Sequence, residues 1–340
     1  MTLATVSNTT EGTDDLVVAR ITHSVVDPEF INEEVTRRYD LKGPFETFLL
    51  YRGMNDVYLV QGAEDRYALR VWRKTYRDVD EVREELDFLE FLKQHDFPAS
   101  TAFRTRDGEL YFKIMTPEGV RAVALYSWAP GRKFGDCLSE ETAERIGAAF
   151  ARMHLLGQEF HGDKPYGVEN ALRFQVTVPA LLDFVYDRPD DLRDYAVIAE
   201  KLGERLTQLQ SEDVPMGICH CDFHPSNVHV AEDGTITLLD FDGTGEDFLM
   251  QDVKNFVWGN LFYGFPDSIG DAFERGYESV RPFTEAEKAN GELFLMAKAF
   301  RLVSGMAKAS SAVGRGTLRF RNLDWLGDYI KTRARDLGMI

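Results

Sequence analysis

The sequence predicts an α/β chain of the α+β kind in two lobes, a smaller N-terminal lobe built on a β-sheet and a larger, mostly helical C-terminal lobe. Three observations predict it. Short β-type runs crowd the first third of the chain, long helix-type periodicity follows, and a loop of closely spaced histidine, aspartate and asparagine near residue 220 runs into a short hairpin. At 340 residues the chain can bury a sizeable core. The lobes are read as residues 16–128 and 129–340, behind a disordered start over residues 1–15 that is polar, Thr-rich and acidic.

Phe30, Ile31 and Val35 recur at roughly helical spacing, so residues 16 to about 45 suggest a leading helix stopped by Gly43-Pro44. Three β-type runs follow at 47–51, 57–61 and 67–72, separated by Arg52-Gly53-Met54-Asn55-Asp56 and by Gly62-Ala63-Glu64-Asp65. Residues 79–94 read as an amphipathic helix with Val82, Leu86, Leu89 and Phe91/Leu92 as its buried stripe. Pro117-Glu118-Gly119 turns a hairpin between 110–115 and 120–128. Beyond it Ser139 is a candidate N-cap, with Glu140 and Glu141 favourable against the helix dipole and Ile146, Phe150 and Met153 on the apolar face. Residues 174–209 and 285–307 add further helices.

The formal charge is −18, from 57 acidic against 39 basic residues, which argues against nucleic acid or an anionic membrane as partner. A cationic or zwitterionic partner fits this field better than an anionic one, although acidity for solubility alone accounts for the charge equally well. Three cysteines cannot all pair, and Cys219-x-Cys221 is too close for a relaxed disulfide, so a reducing cytoplasm is expected. No apolar run approaches the length of a membrane span. No G-x-x-x-x-G-K-[ST] occurs, and Gly243-Thr244-Gly245 runs on to Phe248 where a dinucleotide fingerprint needs glycine.

The chemistry concentrates in Cys219-His220-Cys221-Asp222-Phe223-His224-Pro225-Ser226-Asn227, followed by Thr237-Leu238-Leu239-Asp240-Phe241-Asp242. A hydroxyl attacking a γ-phosphate needs a carboxylate to orient it and take its proton, and Mg²⁺ needs oxygen ligands that leave room for water and phosphate. Asp222 suits the first task. Asn227 can offer a neutral amide oxygen, and Asp240 a carboxylate, to metal. Val228-His229-Val230, the turn Glu232-Asp233-Gly234 and residues 235–239 read as a hairpin that returns Asp240 beside Asn227.

This H-x-D-x-x-x-x-N segment and its D-F-D resemble the catalytic loop of the aminoglycoside phosphotransferase-like kinases, a family that includes choline, homoserine and methylthioribose kinases and a bacterial stress-response Ser/Thr kinase. Cys221 stands where that family usually carries glycine, and a slightly tighter loop is expected. Asp252, in Gln251-Asp252-Val253, resembles the family's late Asp-Leu that braces the loop, and Ala151-Arg152-Met153-His154 resembles its L-A-R-L-H helix; the resemblance spans most of the chain. It implies a two-lobed protein-kinase-like fold and Mg²⁺-dependent transfer of the ATP γ-phosphate. Tyr67-Ala68-Leu69-Arg70 stands where kinases carry V-A-I-K, with Ala68 toward adenine and Arg70 toward phosphate. Glu85 is its implied ion-pair partner, with Glu84 as competitor. Gly53 and Asn55 fall in the phosphate-covering turn, and the backbone of Tyr126, Ser127 and Trp128 in the adenine hinge. His220 and His224 support the loop, and Asp242 is an auxiliary metal or water contact. Asp183, Asp187, Asp190 and Asp191 fall where the family binds its acceptor, a position such acidic runs also occupy as plain solvated surface.

The first-choice acceptor is a small amino- or hydroxyl-bearing metabolite; protein Ser/Thr is second, and a non-enzymatic ATP-binding regulator third. Two rivals use the same residues. Leu238-Leu239-Asp240-Phe241-Asp242-Gly243-Thr244 also matches the nucleophile motif of haloacid dehalogenase-type phosphatases, which normally opens its domain. Cys219, His220, Cys221, Asp222 and His224 could build a metal hydrolase, but alternate side chains of an extended segment face opposite ways.

Overall fold

Asp27 caps the first helix, α1 (Pro28–Arg38): its carboxylate accepts from the Glu29 N–H at 2.9 Å, and Pro28 presets the first turn. Ile31 and Val35 are buried, whereas Phe30 faces solvent. The helix fills only part of the expected 16–45. Upstream, residues 21–27 are held outside any helix by side chains of the sheet: Ser24 donates to Glu118, His23 meets Asp56, and the Tyr58 hydroxyl donates to the Val26 carbonyl. The computed structural model describes residues 19, 21–53, 55–74, 79–162, 174–212, 214–313 and 323–340. The expected disordered start, residues 1–15, and Met54 of the first turn lie outside the described residues.

Five strands, β1 (Glu46–Arg52), β2 (Asp56–Gln61), β3 (Arg66–Val71), β4 (Phe112–Thr116) and β5 (Gly119–Ser127), form an antiparallel sheet in the order β1-β2-β3-β5-β4. Strand alternation splits β3 between two cores. Leu69 and Val71 pack with Ile31, Val35 and Tyr58 on one side, while Ala68 and Arg70 turn toward α2 (Val79–Gln94) on the other. The α2 stripe of Val82, Leu86, Leu89 and Leu92 is buried as its spacing predicts, together with Phe88.

The remainder is mostly helical. β6 (Arg132–Lys133) precedes α3 (Glu140–Glu159), whose N-cap Ser139 accepts from the Thr142 N–H as expected. The stretch 174–209 is two helices, α4 (Val178–Phe184) and α5 (Pro189–Ser211), because Pro189 starts a new one. β7 (Met216–Cys219) pairs with β10 (Gly245–Phe248), and β8 (Val228–Val230) with β9 (Ile236–Leu238), the hairpin read from sequence. Then follow α6 (Leu249–Tyr263), α7 (Asp267–Glu278), α8 (Glu285–Ala289), α9 (Gly291–Val313) and α10 (Leu323–Asp336). Asn290 breaks the expected 285–307 helix between α8 and α9. Among the described residues no helix is long and apolar enough to cross a membrane.

An aromatic stack joins this lobe to the loop between β7 and β8. Phe223 of the loop stacks on Phe150 of α3 at 4.0 Å, and Phe256 of α6 stacks on Phe273 of α7 at 4.0 Å. The close approach of α3 and α7 requires Gly276, where a Cβ would stand 1.9 Å from the Glu144 carbonyl oxygen. Gly276→Ala is therefore expected to lower stability by about 1–3 kcal/mol, measured by urea unfolding, with a change under a few tenths of a kcal/mol counting against this packing.

Candidate active site

The β7–β8 loop is organised by a carboxylate beneath it. Asp252, on the first turn of α6 and fully buried, accepts from the backbone N–H of His220 at 2.6 Å and of Cys221 at 2.8 Å. His154 of α3 donates to it from Nε2 at 3.1 Å, and Asn255 bridges it to the Cys221 carbonyl. Burial pushes the Asp252 carboxyl up, but His154 and the loop donors more than offset this and hold it below the ordinary carboxylate range. Satisfying these bonds puts Cys221 at φ 63°, in the left-handed region. The consequence of cysteine in place of glycine is thus backbone strain, where sequence suggested tighter packing. His220 completes the support: its ring lies between Phe223 and Phe241, and its Nε2 donates to the Leu239 carbonyl at 2.8 Å, tying the loop to the residue before Asp240.

At the end of β9, Asp240 also takes a left-handed conformation, φ 65°, and the turn through Phe241–Gly243 folds back on the loop. A Cβ on Gly243 would stand 2.9 Å from the His220 carbonyl oxygen and 3.4 Å from the Asp222 Cβ, so only glycine lets the two segments touch. Arg70 reaches across from β3, its guanidinium 2.6 Å from Asp240 Oδ1 and 3.3 Å from Glu85 Oε1, with the Tyr126 and Trp72 rings beneath it. Glu85, buried on α2, is the partner of Arg70 rather than Glu84. Asn55 donates to Asp242 at 2.7 Å and accepts from the Arg73 N–H, while Arg73 holds the Gly53 carbonyl. The turn between β1 and β2 is thereby pinned to the D-F-D turn. Asn227, buried, donates from Nδ2 to the Asp222 carbonyl at 3.0 Å, a bond that does not use its amide oxygen.

In the hinge, Ser127 already spends its N–H on Thr101 and its carbonyl on Ser100, and the Tyr126 hydroxyl meets Glu85 at 3.4 Å. Tyr126 lies in the sheet between Ala68 of β3 and a bridge to Ala102, so of the three residues expected to meet adenine Trp128 is the one outside these backbone pairings.

On the other side of the loop, Asp222 faces a cation that sequence reading missed. Lys298 of α9 stands 2.8 Å from Asp222 Oδ1, and the aspartate side chain is half exposed. Burial raises the Asp222 carboxyl, yet Lys298, with help from His224 and His220, holds it below the ordinary range. His224 accepts the Ser226 N–H through Nδ1, and burial lowers its pKa, so it is neutral with its proton on Nε2. Both residues open onto a cavity of ≈ 900 Å³ between α6, α9 and α10. The four acidic residues of the 183–191 stretch are not among its described lining; Asp190 pairs with Arg193, and Asp191 with Arg188 and Lys331. The one signal for Lys298 in sequence is a lone lysine inside an apolar helical run, Leu293 to Ala299.

The metal-hydrolase set does not converge. Cys219 Sγ faces the Asp247 and Phe248 carbonyls, Cys221 Sγ the Cys219 and Gly245 carbonyls, and the His220 ring Leu239. His154, Cys219 and Asp252 do lie close enough to share an ion, but all are buried, and His154 spends both ring nitrogens on Asp252 and Tyr277.

Two outcomes are expected. Asp252→Asn turns an amide N–H toward loop donors and costs about 3–5 kcal/mol. Because the folded carboxyl lies below its unfolded value, its stabilisation is complete above the ordinary carboxylate range and fades as pH falls through the folded value. Urea unfolding across acid pH should show that limb flattened in the variant. Lys298→Met removes the main influence lowering Asp222, so the acid limb of the kcat/KM profile moves to higher pH; an unmoved limb counts against the pair.

A family model described as phosphotransferase enzyme family matches residues 53–288. An uncharacterized protein of Synechocystis sp. is 31% identical over 274 residues, 78% of this chain and 74% of its own. Homoserine kinase of Burkholderia vietnamiensis is 26% identical over 276 residues, 74% of this chain and 78% of its own. Among solved structures, an amicoumacin kinase in complex with AMP-PNP, Ca²⁺ and Ami aligns over 91% of this chain and 94% of its own, with TM-score 0.72 and 20% identity, a likeness of fold. The fold is two-lobed and kinase-like. The phosphatase reading needs Asp240 to open a domain, whereas its hairpin lies deep inside one matched span. From the turn at Gly53 through the β7–β8 loop to α8, more than half of its length, this chain belongs to the phosphotransferase enzyme family.

Proposed function

We propose that the protein uses ATP and Mg²⁺ to phosphorylate a hydroxyl of a small amino- and hydroxyl-bearing metabolite, of the amino alcohol, amino sugar, homoserine or aminoglycoside kind. The observation that carries this reading is the Asp222 carboxylate, kept ionised beside Lys298 at the mouth of a cavity, on a loop whose other end presents Asn227 next to the hairpin of Asp240. The relative named homoserine kinase and the fold shared with an amicoumacin kinase support a small-molecule acceptor.

In this reading Asp222 orients the acceptor hydroxyl and takes its proton as the oxygen bonds to the γ-phosphorus and the bond to the β,γ-bridging oxygen breaks, releasing ADP. Asn227 and Asp240 offer the hard oxygen donors that suit Mg²⁺ and would hold it, and the ion would there neutralise phosphate charge. One oxygen of Asp240 is held by Arg70, so the second is the natural metal ligand. Arg70, fixed by Glu85, clamps phosphate oxygens with its fork. The N-lobe, residues 16–128, holds the nucleotide and the rest the acceptor. Three cysteines outside any disulfide fit a reducing cytoplasm. Among the described residues no contact favours a protein acceptor, and Asp222 opens onto a half-open cavity lined by three helices.

Asp222→Asn is expected to lower kcat by about 10²–10⁴-fold while calorimetry finds ATP·Mg²⁺ affinity within a few-fold. Wild-type turnover in this variant would sink the assignment. Robust trans-phosphorylation of protein Ser/Thr with no small molecule turned over would promote the protein-kinase reading instead.

A further inference from the structure

We infer that the phosphoryl acceptor is an amphipathic alcohol built on a flat apolar ring, its hydroxyl at Asp222 and its ring laid along the aromatic wall formed by α6 and α10. The inference rests on the reading of Asp222 as the base and adds the class of acceptor.

Size is the first argument. A cavity of ≈ 900 Å³ lies near the top of the range, about 300–1,000 Å³, that holds drug-sized ligands. An amino alcohol of a handful of heavy atoms would leave most of it as water.

The wall is the second. Trp258 stacks on Phe262 at 5.0 Å, Phe262 approaches Trp325 of α10 at 6.2 Å and Tyr263 at 5.6 Å, and Tyr263 stands 5.9 Å from the His224 ring. The rings thus form one connected path from α10 to the residue two places after Asp222. Phe262, Tyr263 and Trp325 remain 45, 43 and 42% exposed, the first two at the end of an otherwise largely buried α6. Water-exposed rings gathered around one cavity favour a ligand that removes them from water. Leu302 and Met306 continue the apolar lining on α9.

Charge is the third. Among the described lining residues the charged groups are Asp222 and Lys298, and they pair with each other at 2.8 Å. The wall therefore holds no second carboxylate for a polyamine, and a single amine on the acceptor would rest on ring faces. Lys298 and the His224 Nε2–H supply donors for an oxygen beside the reacting hydroxyl.

The test uses the full chain with ATP and Mg²⁺ and two matched probes, 2-amino-1-phenylethanol and its ring-free counterpart 1-amino-2-propanol, with choline and homoserine alongside. Phosphoryl transfer is read as ADP release and acceptor mass gain, and binding without nucleotide as tryptophan fluorescence. The ring-bearing probe should bind, and show kcat/KM, about tenfold or more in excess of the ring-free one. In Trp325→Ala and in Phe262→Leu that ratio should fall toward one. Trp325 is half-exposed, so its truncation removes little core; if either variant fails to melt cooperatively, the other carries the test. Equal binding of the two probes, or an undiminished ratio in the variants, overturns the inference. Phosphorylation of ring-free alcohols without preference overturns it while upholding phosphotransfer. Tight, ring-dependent binding with no transfer to any probe upholds the aromatic wall as a ring-binding site and overturns the phosphotransfer reading on which the acceptor role rests.

Discussion

A charge buried without solvent must be met by donors, and Asp252 shows how far that requirement reaches. Its carboxylate is removed from water entirely, a state that costs several kcal/mol unless hydrogen bonds replace the lost hydration. The replacements come from the backbone of the β7–β8 loop, from His154 on α3 and from Asn255 on its own helix. Meeting them dictates the path of residues 220–222, including a left-handed Cys221 that costs about 1–2 kcal/mol for a side chain with a Cβ. From that path the rest follows: His220 is turned onto the Leu239 carbonyl, Phe223 is driven into the aromatic stack, and Asp222 is left facing the cavity.

The same molecule places its working cations by long-range contact. In a chain of formal charge −18, the Asp222 and Asp240 carboxylates would repel one another and any anion. Arg70 meets Asp240 across 170 residues of sequence, and Lys298 meets Asp222 across 76. Each is partly shielded from water, where a charge–charge contact is screened far less than on the surface. The consequence is electrostatic: Asp222 is kept ionised at neutral pH, although burial alone would favour its neutral form.

Sequence by itself determined the elements whose signal is local. The alternation of β2 and β3, the stripe of α2, the Ser139 cap and the hairpin returning Asp240 to Asn227 are all fixed by neighbours within a few residues, where side-chain period and turn chemistry leave few choices. The loop's candidate residues were legible for the same reason, because Asp222, Asn227 and Asp240 are spaced along one short segment. Where the expectations slipped, a distant contact overruled the local pattern: residues 21–27 left the leading helix for the sheet, and Ser127 gave its backbone to Ser100 and Thr101. Tertiary structure alone decided that Glu85 rather than Glu84 pairs with Arg70, since both lie on one helix and only its docking rotates one inward. It alone brought Lys298 to Asp222 and gathered rings from α6 and α10 around one cavity, because a side chain's periodicity states which face of its helix it occupies, and only the packing of helices against each other states what that face meets.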